Sequence, residues 1–261
     1  MIKNKYNKWI LVSATVLTLT ACGSSGGGTT DGGSDGGTNE PAKPTQNSII
    51  HNGTLYGTVV SPFTGRVWLD RNLGAERVCT AYNDTACYGD LYQWGRDYDG
   101  HQDRHSDTTK EAVTDLDDAG HRFAVGSAWF TGKAGNDIAR DELNRRRALL
   151  SAKWKRTDGS SVCPIGFYVP DLTELKEEFK YIRVAYVEQA FTDHFFKIPA
   201  AGIRIIDEIR DVAGEIRNND SRFAFWSNKD KATEFAYVDG HMIEARIESN
   251  RGLSIRCIKK K

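Results

Sequence analysis

The chain has 261 residues with 35 basic and 35 acidic side chains, so its formal charge is zero, and 39% of its residues are hydrophobic. That balance offers no long-range attraction to a phosphate backbone and excludes an electrostatic case for nucleic acid as a partner. The local clusters Arg145-Arg146-Arg147 and Lys259-Lys260-Lys261 read as a solvated helix face and a solvated tail.

At the start of the chain, Lys3, Lys5 and Lys8 precede an apolar run from Ile10 to Thr20, the pattern of a signal peptide. The run is shorter than the about 20 apolar residues that a membrane span needs. It closes on Leu19-Thr20-Ala21-Cys22, which resembles the lipobox of bacterial lipoproteins. The resemblance implies cleavage after residue 21 and a diacylglycerol on the sulfur of Cys22, whose new amino group is then acylated with a palmitate-type chain. Acyl chains contribute about 0.8 kcal/mol per buried CH₂, so several of them anchor a protein stably. Gly23 stands where an Asp would mark inner-membrane retention in some bacteria, so the expected location is the bacterial cell envelope, lipid-anchored at the outer membrane. Losing residues 1–21 removes three lysines and no acid, which leaves 32 basic against 35 acidic side chains.

Residues 22–47 carry the lipid site and a Gly/Ser-rich tether with almost no apolar side chain, unable to bury enough surface to offset the entropy of ordering. Its expected role is reach. Residues 48–261 contain no second such break and are expected to form one domain, with a charged insertion at about 101–161.

Within the domain, Gly53–Val60 and Arg66–Asp70 are β-rich and flank a Ser-Pro-Phe-Thr-Gly turn, which predicts a hairpin. Tyr88–Trp94 is aromatic and reads as core. The polar stretch from His101 to Ser127 reads as irregular and solvated; His101 and His105, with Asp99 and Asp103, would make a metal site only on a helix. Asp115, Asp117 and Asp118 read as a solvated acidic loop, with calcium as the alternative. Leu143, Arg147, Leu150 and Trp154 predict a helix over 137–154 with a narrow apolar stripe. After Pro170, Asp171 and Glu174 form a capping-box pattern, and Leu172, Leu175, Phe179 and Ile182 line the buried face of the helix they start. Strands are expected at 196–205, 223–227, 234–238, 242–247 and 253–258, the last half-buried, with Leu253, Ile255 and Cys257 inward.

Beyond Cys22 the chain has Cys79, Cys87, Cys163 and Cys257, an even set that suggests two disulfides in an exported domain. Four cysteines permit three pairings, and the sequence alone does not choose among them. The Asn83-Asp84 turn would bring Cys79 to Cys87, and pairing them locally leaves Cys163 with Cys257. A zinc site would need closer spacing than these residues have.

The segment Cys163-Pro164-Ile165-Gly166-Phe167-Tyr168-Val169-Pro170 is similar to the C-P-x-G-[WF]-x-[LV]-P segment of the Fibrobacter succinogenes major paralogous domain family. Further stretches agree in order: Gly53–Val59, Arg66–Leu73, Tyr88–Gly95, Pro199–Arg204, Phe225-Trp226-Ser227 and Ser254–Cys257. The resemblance implies an α+β fold like that of C-type lectins and formylglycine-generating enzymes, with twisted antiparallel strands, few helices and long loops. It also supports the Cys163–Cys257 pairing. The Asp-led helix start at Asp171 and the insertion at 101–161 depart from the family.

No nucleophile elbow, phosphate loop or zincin helix is present, so no catalytic residue is assigned. In a lectin-like fold the loops before the final strands meet ligand, which makes Trp226, Asn228, Asp230, Tyr237, His241 and Arg246 the candidate ligand-binding residues, with Trp226 fitting the core as well. Trp226-Ser227-Asn228-Lys229-Asp230 is similar to the W-N-D calcium-site segment of C-type lectins, but its partner tripeptide is missing, so no metal ligand or cofactor is assigned and calcium is the one cofactor left open. The expected function is a surface-displayed binding or adhesion module for a protein or glycan. The alternatives are an exported enzyme or modifying factor related to the formylglycine-generating group, and a structural envelope lipoprotein.

Overall fold

The computed structural model describes residues 48–261 apart from 112, 126–128, 132–137, 181, 183–186, 208–211, 218–220, 230–232 and 239–240, with backbone alone at 187, 206, 207, 212, 213, 233–235, 237, 238, 241 and 242. The segments expected as signal, Cys22 and tether lie outside the described residues.

The first β-rich run divides at Gly57 into Thr54–Tyr56, paired with Ile49–His51, and Thr58–Val60, paired with Val67–Leu69. The reason is local: the Gly57 amide donates to Asp70 Oδ2 at 3.0 Å, and a Cβ at 57 would fall 2.6 Å from that oxygen. The hairpin turn is held by Ser61, whose amide donates to Arg66 O at 2.8 Å and whose Oγ accepts the amides of Phe63 and Thr64.

The expected helices form. α1 covers Arg140–Trp154 and buries only Leu150, Ser151 and Trp154, in keeping with its narrow stripe. α2 covers Leu172–Phe179 and has a complete capping box: Glu174 N donates to Asp171 Oδ1 at 2.8 Å, and Asp171 N to Glu174 Oε2 at 2.9 Å. Its inner face carries Leu172, Leu175 and Phe179. It also carries the buried Glu178, whose carboxylate accepts from Ser61 Oγ, from Thr64 Oγ1 at 2.8 Å and from Trp68 Nε1 at 3.2 Å, fastening the helix to the hairpin. α3, Val187–Asp193, follows.

The strands join into small sheets. One has the order Thr58–Val60, Val67–Leu69, Ile258–Lys259, Phe167–Tyr168. A second runs Val212–Arg217, Ile203–Asp207, Gly252–Leu253, Tyr92–Gln93. A third is the meander Phe223–Trp226, Thr233–Val238, His241–Arg246. All pairings in these three are antiparallel; a short parallel pair joins Thr108–Thr109 to Phe123–Ala124. The fold is therefore α+β, sheet-rich with three α-helices among the described residues.

Two expected strands are corrected. Only Ile203–Asp207 is strand in the 196–205 run; residues 196–201 are irregular and, apart from the half-buried Lys197, buried, with Ala200 N donating to Tyr82 O at 2.8 Å. The 253–258 run is Gly252–Leu253 and Ile258–Lys259 separated by a buried crossing, and both of its faces are covered: Ser254 and Arg256 are as buried as Leu253, Ile255 and Cys257. The polar side of the crossing is tolerable because Arg256 donates twice to Asn72 Oδ1, at 3.0 and 3.1 Å, and lies over the Phe196 ring.

Disulfides join Cys79 to Cys87 and Cys163 to Cys257, with Cα separations of 5.1 and 5.9 Å. The larger core cluster gathers Trp94, Trp129, Trp154 and Trp226 around the second bond. Each indole N–H finds a backbone carbonyl: Trp94 to Ser227, Trp129 to Trp94, Trp154 to Arg96 and Trp226 to Tyr92.

Candidate functional site

The candidate residues of the last 36 positions divide sharply. Trp226 is fully buried and bonds Tyr92 O at 2.6 Å, which corrects its reading as a ligand contact: the ring is filled on all sides by core and meets no solvent. Asp230 lies outside the described residues. Tyr237 and His241 take strand positions opposite Met242 and Val238. Arg246 is exposed at the end of its strand, opposite Thr233.

Asn228 is the candidate that reaches a cavity. Its backbone is fixed on both sides: the amide donates to Pro170 O at 2.9 Å, and the carbonyl accepts Ser151 Oγ from α1 at 2.6 Å. Its side-chain Nδ2 donates to Val169 O at 2.6 Å, while its buried Oδ1 has no hydrogen-bond partner among the described residues. Leaving such an acceptor unmet costs about 1 to 3 kcal/mol.

The cavity beside it, of about 520 Å³, opens between the N-terminus of α2 and the meander and is lined by Lys155, Asp171, Leu172, Thr173, Lys176, Asn228, Lys229 and Glu244. Glu244 binds Lys176 at 2.5 Å and faces Lys229 at 3.6 Å; the hydrogen bond from Lys176 holds its carboxyl below the usual carboxylate range. The Asp171 carboxylate is spent on the capping box. What the arrangement can do is offer donors and acceptors of both signs, over a small apolar contribution from Leu172, to a ligand rich in hydroxyl groups. Sequence reasoning found Asn228 in its loop but missed Thr173, Lys176 and Glu244, which come from α2 and from the strand His241–Arg246. A hard cation takes six to eight oxygen ligands. The three lysines here oppose one, and no group of three or more His, Cys, Asp or Glu suited to a metal occurs among the described residues.

His101 is also corrected. It lies on a turn, not a solvated loop, and is wholly buried: Nδ1 donates to Asp99 Oδ1 at 2.5 Å and Nε2 accepts the Gln93 amide at 2.9 Å. Both ring nitrogens are occupied, so no metal can use them, and burial pushes its pKa down to about 4. His105, four residues on, is exposed. Asp115, Asp117 and Asp118 are exposed, with Asp117 paired to Lys153 at 2.9 Å.

A second cavity, of about 630 Å³, lies between the Cys79–Cys87 loop and the turn at 103–105, with Asp90 in its lining. The sequence signal for it was a lone acid inside the aromatic core run Tyr88–Trp94.

Comparison with protein-family models, with curated proteins and with solved structures returns no match to this chain. Among the described residues no helix is long and apolar enough to cross a membrane.

Proposed function

We propose that the chain is a lipid-anchored binding module of the bacterial envelope: Cys22 carries the lipid, residues 22–47 give reach, and the folded domain meets a hydroxyl-rich glycan at the cleft of Asn228. The single observation that carries the reading is the unmet Asn228 Oδ1 beside a mixed-charge cleft, since a ligand hydroxyl can satisfy that acceptor while Lys155, Thr173 and Glu244 serve its other oxygens. The resemblance to the Fibrobacter succinogenes major paralogous domain family, and through it to C-type-lectin-like folds, supports the reading; the sheet-rich α+β architecture with few helices is compatible with it. An exported enzyme of the formylglycine-generating type would need a thiol, and the four cysteines of the domain are joined in two disulfides.

The test is a screen of the detergent-solubilised chain against glycans and envelope proteins. Glycan binding that falls at least tenfold in Lys155→Met and Thr173→Ala supports the reading. Binding to protein alone, or glycan binding that ignores both substitutions, overturns it. Cys22→Ser is expected to move the protein from the membrane to the soluble envelope fraction.

A further inference from the structure

We propose that the cavity between the Cys79–Cys87 loop and the turn at 103–105 binds an organic cation, an alkylammonium or guanidinium group, with Asp90 as its counter-ion. The site is separate from the Asn228 cleft and does not depend on its function.

The cavity of about 630 Å³ falls in the range of small-ligand sites. The main chain that carries its carboxyl is fixed on both sides: Asp90 N donates to Leu73 O at 2.9 Å, and the next amide, of Leu91, donates to Gln102 O at 2.9 Å. The carboxyl rests on Gly74, whose φ is +78° and whose missing Cβ would lie 2.2 Å from Asp90 Cγ. Only a glycine leaves that seat open.

Around this fixed acid the usual compensation is absent. The Tyr92 hydroxyl meets Asp90 Oδ2 at 3.3 Å, and among the described residues no other hydrogen bond or ion pair reaches the carboxyl. The wall cation, Arg104, is turned away: its guanidinium donates to Gly89 O at 3.3 Å and Ala201 O at 2.8 Å and lies over the Tyr88 ring. Among the described residues the other charged side chains of the lining are Asp103 and Glu76, with His105 beside them and Tyr92 and Tyr56 packed near the carboxyl from within. Burial first, and then Asp103, push the Asp90 pKa up to about 7, against the opposing effects of Tyr92 and Arg104.

The chemistry follows from this imbalance. At neutral pH the carboxyl is divided between a protonated form and a desolvated anion whose nearest cation, Arg104, donates to backbone carbonyls instead of to it. An entering ammonium or guanidinium supplies that charge, donates to the carboxyl oxygen left unbonded, and displaces the proton to solvent. An anionic ligand would face three acids. A neutral polyol would add a hydrogen bond without the compensating charge.

The experiment is calorimetric titration of the full detergent-solubilised chain with cadaverine and agmatine, with the tripeptides Gly-Lys-Gly and Gly-Arg-Gly, and with glycerol as the neutral probe. Titrations at pH 6 and pH 8 use buffers of different ionisation enthalpy. The cations are expected to bind about tenfold more tightly at pH 8 than at pH 6, with proton release at pH 6, because an acid of pKa near 7 goes from mostly protonated to mostly ionised across that interval. Asp90→Asn, which keeps the shape of the side chain, is expected to abolish both binding and its pH dependence. Lys155→Met in the other cleft is expected to leave them unchanged. Tighter binding of the tripeptides assigns the cation to a basic peptide side chain, and tighter binding of the free amines to a small metabolite. Glycerol binding as tightly as the amines, an affinity that does not change with pH, retained binding in Asp90→Asn, or no cation binding at millimolar concentration would each overturn the proposal.

Discussion

The two disulfides hold the molecule in different ways. Cys163–Cys257 closes a separation of 94 residues and sits among the core tryptophans, so it ties the segment before α2 to the buried crossing near the chain's end. Cys79–Cys87 closes only 8 residues and shapes a surface loop that forms one wall of the Asp90 cavity. In the chain-entropy picture the long closure is worth about 4.7 kcal/mol and the short one about 2.5 kcal/mol. One bond thus defends the fold and the other defends a site, and substitution can separate these roles.

The largest effect is expected from Cys163→Ala with Cys257→Ala, which should lower stability by about 4 to 5 kcal/mol and the melting temperature by roughly 10 to 15 °C, read by denaturant and thermal unfolding. An unchanged midpoint would show that the core needs no staple. Next comes Arg256→Met, in the same crossing. It leaves Asn72 Oδ1 without its two buried donors, and a loss of about 3 kcal/mol is expected by the same measurement. Cys79→Ala with Cys87→Ala should cost at most about 2.5 kcal/mol of global stability. Its signature should instead be selective proteolysis or rapid amide exchange within 76–90, and equal loosening of the core would break the distinction between the two bonds.

The smallest expected effect depends on pH. The Asp90 pKa of about 7 in the folded chain lies above its ordinary 3.8, so the folded state binds more protons between those values, and Asp90 costs stability as pH rises through that window. Asp90→Asn should therefore raise the melting temperature by a few degrees at pH 8 and leave it unchanged near pH 4. His101 and His194 act in the opposite sense. Burial lowers each to about 4 from 6.5, so wild-type stability should fall as pH drops through that range.

Local chemistry was legible from sequence, and long-range burial was not. The capping box at Asp171 and Glu174 and the stripe Leu172, Leu175 and Phe179 depend on residues three and four apart and formed as expected, whereas Ile182, expected on the same face, lies beyond the helix end at Phe179 and is half-buried against the core. α1 begins at Arg140 rather than 137, a boundary difference of a few residues. The failures share one cause. His101 and Arg256 look solvated by composition, yet each is buried because a partner from another segment satisfies it, Gln93 for the imidazole and Asn72 for the guanidinium; Ser254 is buried with its amide on Ala224 O and its hydroxyl without a hydrogen-bond partner among the described residues. Trp226 could be placed in the core or at the surface from its sequence, and the indole bond to Tyr92 O decided the matter. At the candidate sites, Asn228 could be named, but its unmet oxygen exists only because Pro170, Val169 and Ser151 fix the rest of the residue. Asp90 owes its altered acidity first to burial and then to Asp103, 13 positions later in the chain, neither of which its own neighbours in sequence reveal.

The crossing at 252–259 also orders events in time. Ile258 lies between Trp68 and Tyr168, and the carbonyls of Ile255 and Cys257 accept the amides of Leu73 and Leu69. A ribosome releases this segment after the strands it joins, so the edges of Val67–Leu69 and Phe167–Tyr168 that it fills stay open until it arrives, and a chaperone has its widest opportunity just before residue 252. The same geometry tells the experimenter to keep a tag away from the segment that closes the sheet.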